Sequence, residues 1–234
     1  MRIDKYMSRT GIYPRRETGR LIQAGRITIN GTVCEKGAEV VAGDQVAVDG
    51  QPVSLSQEEL VYLALNKPVG ITCTAAREVE GNIVDYVNYP SRIFAVGRLD
   101  KHSEGLILMT NDGDIVNKIM RSENHQEKEY RVSVDKPVTP EFLQAMSAGV
   151  PILGTVTKPC VTYPVDDQEF GIILTQGLNL QIRRMCKELG QRVLRLERTR
   201  IMNITLDGLA RGEWRHLTRE ELDELLATLN RQKA

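Results

Sequence analysis

No two cysteines in this chain stand close enough to act together. The four, Cys34, Cys73, Cys160 and Cys186, are widely spaced with no C-x-x-C pair, which argues against a zinc ribbon, a thioredoxin-type dithiol or a disulfide scaffold. His102, His125 and His216 are equally scattered, so no metal motif is legible and none is expected. Apolar runs stay well short of the roughly 18 residues a membrane helix needs. The opening MRIDKYMSRT lacks the apolar core of a signal peptide. Net charge is missing too, with 31 Lys and Arg against 31 Asp and Glu. A neutral total gives no global hint of nucleic-acid or membrane binding. Neither an internal repeat nor a low-complexity tract is present. Together these absences describe a reduced, soluble, cytoplasmic chain. Aromatics are scarce at 5%, but the 41% hydrophobic fraction is enough for a packed core. A length of 234 residues suits one large domain, or a small module plus a medium one.

The distribution of charge says more than its sum. Between Met1 and Arg26, the bases Arg2, Lys5, Arg9, Arg15, Arg16, Arg20 and Arg26 face only Asp4 and Glu17. Between Gln176 and Met202, Arg183, Arg184, Lys187, Arg192, Arg195, Arg198 and Arg200 face Glu188 and Glu197. Acids collect elsewhere, notably in TREELDEL, Thr218 to Leu225. Two basic zones on a neutral chain suggest localised polyanion contact, with ordinary solvated helix faces as the alternative.

Periodicity divides the chain. Ile3, Tyr6 and Met7 fall at helical spacing before Gly11, and Pro14 can open a second helix that Gly25 caps. RITINGTV alternates Ile27 and Ile29 into the hairpin signal Asn30-Gly31, and AGDQVAVDG supplies another short strand. The polar QPVSLSQEE reads as a linker. Beyond it, VYLALN, AVGRL, GLILMT and KEYRVSV read as strands, interspersed with helices. One is opened by Thr139-Pro140, one spans NLQIRRMCKELG, and one is started by a Thr218/Glu221 capping box. Strands and helices do not alternate regularly, so the fold class is α+β rather than a doubly wound parallel sheet.

The stretch AVGRLDKHSEGLILMTNDGD, Ala95 to Asp114, sets the chemical question. Asp100 could be a salt-bridged loop residue, a metal ligand or a nucleophile. A calcium loop fails on ligand spacing. NDGD reads as a turn that ends a strand and caps a helix. Asp100 and Glu104 could form a glycosidase pair, but nothing else supports one. Arg98 and Lys101 would keep Asp100 ionised, and an ionised carboxylate beside a groove is a competent nucleophile. Taken alone, the stretch favours a structural salt bridge.

Its surroundings carry a resemblance. R-I-D-K-Y, R-R-E with G-R-L-I, and G-R-I-T-I-N-G within Met1 to Gly50 resemble the S4 RNA-binding domain, with Tyr13-Pro14 a departure before the Arg pair. N-K-P-V-G at Asn66, G-R-L-D-x-x-x-x-G-L-x-x-x-T-N-D-G at Gly97, K-E-Y-R-V at Lys128 and Q-I-R-R-M at Gln181 follow in that order. They resemble the motif series of pseudouridine synthases, in the branch that carries an N-terminal S4 domain. L-E-R-T-R-I-M-N-I-T-L with G-E-W-R-x-L resembles a subtype acting on the large ribosomal subunit. The resemblance implies an S4 domain over 1–50, a linker over 51–58 and a catalytic domain over 59–234, the latter built on a mixed, mainly antiparallel sheet with flanking helices.

It also implies a chemistry. Pseudouridine forms when the bond from ribose C1′ to uracil N1 breaks, the base rotates, and C5 joins C1′, which needs no redox change and hence no cofactor or metal. Asp100 occupies the position of the catalytic aspartate. Tyr130 matches the active-site tyrosine, able to stack on the base or sit near the C5 proton. Arg183 matches the arginine that pairs with that carboxylate. Arg98, Lys67, Leu99 and Gln181 would support the site. Arg2, Lys5, Arg15, Arg16, Arg20, Arg26, Arg184, Arg198 and Arg200 would hold RNA. Leu180 is a departure, standing where the branch usually has a basic residue, and implies a weakened RNA contact. The expected partner of this monomer is ribosomal RNA, with transfer RNA as a further option and no membrane. The rival readings are a noncatalytic S4-type RNA-binding protein, a nucleoside hydrolase, and a synthase acting on small-subunit ribosomal RNA or transfer RNA.

Overall fold

Ile3 and Met7, one helical turn apart, are fully buried and set the packed face of α1 (Ile3–Arg9). The computed structural model describes residues 1–13, 15–55, 59–76, 78–120 and 126–231, apart from the side chains of Arg15 and Arg16. Two units divide it, Met1–Glu59 and Leu60–Ala234.

In the first unit, α1 and α2 (Arg15–Gln23) precede β1 (Ile27–Ile29), β2 (Thr32–Val33), β3 (Val46–Val48) and β4 (Gln51–Val53). The strands form an antiparallel sheet in the order β2-β1-β3-β4. Asn30 and Gly31 both take positive φ, 51° and 80°, as a two-residue hairpin turn of matching twist requires. Ile3, Met7, Leu21, Ile27, Val46 and Val48 make the core. Residues 51–53, expected to open the linker, instead form β4. Pro52 is compatible with this, because β4 lies at the sheet edge, where a proline's missing N–H can face away from its one neighbour. Pro14, expected to open α2, and residues 56–58 lie outside the described residues.

The second unit is built on a sheet of β5 (Tyr62–Lys67), β6 (Phe94–Val96), β7 (Glu104–Thr110), β8 (Lys128–Val134), β11 (Val161–Asp166), β12 (Glu169–Leu174), β13 (Val193–Ile201), β14 (Ile204–Thr205) and β15 (Trp214–His216). Its main order is β11-β12-β8-β13-β7-β5-β15, with β14 on β13 and β6 on β7. A small hairpin of β9 (Pro151–Ile152) and β10 (Thr155–Val156) stands apart. The sheet is mixed and mainly antiparallel, with β13 and β7 running parallel.

Period-2 alternation assigns its faces. Leu63, Leu65, Ile107 and Met109 pack beneath α3 (Ile83–Val87), while Ala64, Leu106 and Leu108 pack on α4 (Gly113–Met120) and α7 (Arg219–Arg231). At the other half, Val132, Val134, Phe170, Ile172 and Leu196 pack against α5 (Pro140–Ala148) and α6 (Gln181–Glu188). Burying each such side chain is worth about 1.5–3 kcal/mol. Caps fall where the sequence places them. The Thr139 hydroxyl accepts from Phe142 N–H, and Thr218 and Glu221 exchange hydrogen bonds at the start of α7. NDGD is a turn, with Asp112 accepting from Asp114 N–H at the head of α4.

Candidate active site

The loop between β6 and β7, Gly97 to Ser103, is held by its backbone. Leu99 N–H donates to Cys73 Sγ at 3.3 Å, and Leu99 is buried in the core under α3. Gly70 N–H donates to Lys101 O at 2.8 Å. Lys67, fully buried, donates its Nζ to Pro68 O and Ser103 O, each at 2.8 Å. Arg183, from the first turn of α6, donates Nη2 to His102 O at 2.8 Å and reaches Ser103 Oγ at 3.4 Å. Three segments distant in sequence, N-K-P-V-G, G-R-L-D and Q-I-R-R-M, thus meet on one loop.

That loop presents Asp100 half-buried on the wall of a cleft of about 580 Å³. Among the described residues its carboxylate makes no hydrogen bond or ion pair. Tyr130 also lines the cleft and packs against two core clusters of this unit. Arg98 is exposed at the cleft, and Lys128 and Arg198 line it. Burial pushes the ammonium of Lys67 down, opposed by Cys73, Asp100 and Glu104. Burial, with help from Arg198, pushes Lys128 down to about 8. The Cys73 thiol is pushed up by burial. At the far rim, Gln181 is buried and accepts from Leu178 N–H, shaping the turn into α6, and Leu180 sits there with a φ of 50°. Glu104 cannot partner Asp100 in carboxylate chemistry, since Arg195 and Arg211 both pair with it.

A model of the RNA pseudouridylate synthase family matches residues 61–188, and one of the S4 domain matches residues 1–46. The chain belongs to the RNA pseudouridylate synthase family. It is 54% identical over 225 residues to the dual-specificity RNA pseudouridine synthase RluF of Salmonella typhi, covering 96% of this chain and 78% of that protein. The RluF of Escherichia coli strain K12 matches at 54% with the same coverage. A crystal structure of a pseudouridylate synthase superposes with a TM-score of 0.72 at 29% identity, over 96% of this chain and 99% of that one.

Measured against what the sequence implies for a pseudouridine synthase, the structure gathers Asp100, Tyr130, Arg98, Leu99 and Gln181 at one cleft, with Lys67 beneath its loop. It departs from expectation at Arg183. The expected ion pair with Asp100 is absent among the described residues, because the guanidinium is taken up by the His102 carbonyl and the Ser103 hydroxyl. The expected RNA-binding set also divides. Arg198 is buried at the cleft rather than presented to solvent. Arg200 is held by Glu129 and Glu127, Arg26 by Asp49, Arg2 by Asp4, and Arg184 by Asn179. Lys5 is half-buried and Arg20 is exposed, while the side chains of Arg15 and Arg16 lie outside the described residues. Sequence reasoning missed Cys73, Lys128 and the placement of Arg198. Lys128 was within reach, since strand alternation puts it on the same face as Tyr130.

Proposed function

We propose that this synthase isomerises a uridine of large-subunit ribosomal RNA in the cleft beside Asp100, with Asp100 as the nucleophile. The observation that carries this is the loop from Gly97 to Ser103. Its backbone is pinned from four sides, yet among the described residues the carboxylate it carries makes no hydrogen bond or ion pair, and it faces a cleft of about 580 Å³. Ligand sites typically run to about 300–1,000 Å³, so one nucleotide fits. The target uridine flips out of its stack, which costs least in a loop or bulge. Asp100 then supports C1′ as the bond to N1 breaks, by covalent attack or by stabilising a cationic sugar. C5 of the rotated base joins C1′, loses its proton near the Tyr130 hydroxyl, and N1 gains one. Arg183 acts as a positioning residue through the loop rather than through Asp100 itself. The first unit grips flanking RNA, with Arg20 exposed for that purpose. Such an enzyme acts as a monomer in the cytoplasm. Likeness to proteins named as dual-specificity supports a second RNA substrate, for which transfer RNA is the candidate.

Incubation with unmodified ribosomal RNA, followed by mapping of pseudouridine, tests the reading. New pseudouridine in large-subunit RNA without release of free uracil is the expected result. Free uracil would make the protein a hydrolase, and binding without modification would make it an RNA-binding scaffold.

A further inference from the structure

Three arginines on β13 have different fates. Arg195 is paired with Glu104 and Glu197, and Arg200 with Glu129 and Glu127. Arg198, between them, has no acid partner among the described residues. It is 2% exposed and forms part of the cleft wall. Its Nε donates to Leu106 O at 2.7 Å, and its Nη2 is buried with no acceptor among the described residues. A guanidinium with open donors is costly to bury, because desolvation is not repaid.

Register explains how it arrives there. Directly paired residues on neighbouring strands share a face. One such row runs Ile172, Tyr130, Arg198, Gly105 and Lys67 across β12, β8, β13, β7 and β5. The Arg198 guanidinium carbon lies 6.0 Å from the centre of the Tyr130 ring. The parallel pairing of β13 with β7 therefore delivers a buried cation beside the aromatic ring and below the loop that carries Asp100.

We propose that Arg198 is a catalytic residue whose guanidinium donates to a carbonyl oxygen of the target uracil. This rests on the reading of the Asp100 cleft as the site of isomerisation. When the bond from C1′ to N1 breaks, its electron pair goes to the base, and the negative charge spreads over N1, O2 and O4. C1′ is left electron-poor against Asp100. A donor fixed at O2 or O4 lowers the energy of that anion and is strengthened as the charge develops. When C5 bonds to C1′, the anion's electron pair becomes that bond; the C5 proton then leaves, its pair restores the conjugated ring anion, and N1 is protonated, so the net change is a proton moved from C5 to N1. A backbone phosphate is a poorer candidate. It stays on the strand at the mouth, whereas Arg198 can be reached only by a group that enters the cleft.

The test uses a short RNA containing the modified site, with the target as uridine, 2-thiouridine or 4-thiouridine, in single-turnover reactions of the full-length enzyme. Sulfur accepts hydrogen bonds weakly, so one of the two substitutions is expected to slow the wild type at least about tenfold. Arg198→Met is expected to lose about 10²–10³ in rate on uridine and to show no further loss on that thio-substrate. Arg198→Lys keeps the charge and gives the same comparison if the Met variant does not fold. The proposal is overturned if neither thio-substrate slows the wild type, a result that needs no variant. It is equally overturned if Arg198→Met keeps the wild-type rate, or slows while both thio penalties persist. Turnover by Asp100→Asn would instead sink the reading of the cleft, so the two failures are distinguishable.

Discussion

Lys128 carries a charge that the fold disfavours. Burial and the nearby Arg198 push its ammonium down to about 8, from an ordinary 10.5. Folding therefore weakens its hold on the proton. Between pH 8 and about 10.5 the unfolded chain binds more protons than the folded one, so stability at this position rises with pH across that window. Below the window the buried cation is a cost, and above it the cost is relieved. Lys128→Met removes it, so the variant is expected to be more stable than wild type at pH 7 by on the order of 1–3 kcal/mol. That advantage should shrink by pH 10. Denaturation midpoints at the two pH values check this, and an equal advantage at both would contradict it. Individual residues were unevenly legible. Asp100 and Tyr130 stand in motifs whose order singles them out as candidates. The partner of Arg183 was not readable, because a motif names a residue and not which of several nearby acceptors it reaches. Arg198 was beyond reach for a further reason. Its neighbour is set by a strand pairing with Tyr130, far away in sequence, and no local pattern encodes it.

The parallel junction of β7 and β13 is the element on which the cleft depends. Gly105 has a φ of 102°, and a Cβ there would run into the Arg198 backbone, 2.6 Å from its nitrogen. Backbone cannot yield as a flexible side chain can, and positive φ adds strain for any other residue. Gly105→Ala is expected to destabilise the chain by about 3 kcal/mol or more and to displace Arg198. A thermal melt reads the first effect and loss of isomerisation the second. A variant as stable and active as wild type would show that β13 does not need so close an approach. Most elements could be placed from sequence because alternation, caps and the Asn30-Gly31 turn are local signals. Several were not, among them α3 and the strands from β9 to β15, and β4 is an instructive case. Gln51 to Val53 lacks apolar periodicity, and only its hydrogen bonding to β3 makes it a strand. Pairings that join distant segments carry no such signal, so the row from Tyr130 to Lys67 emerged only from the fold.

Each of the two units has a core of its own. The first is built from Ile3, Met7, Leu21 and the strands up to Val48, while three clusters lie wholly in the second. A chain of residues 60–234 is therefore expected to fold cooperatively without the first unit. It should keep its single-turnover rate at saturating RNA while kcat/KM falls about tenfold or more, with a shallower dependence on salt because fewer phosphates are contacted. Loss of the saturated rate would mean that the first unit takes part in chemistry. The proposed isomerisation depends above all on Asp100, and the most direct measurement follows the C5 hydrogen. RNA carrying tritium at C5 of uridine should release it to water with the wild type, because the rearrangement expels that proton. Asp100→Asn should bind the same RNA with similar affinity and release no tritium above background. Release by the variant at a rate near wild type would contradict the assignment of Asp100 as the nucleophile.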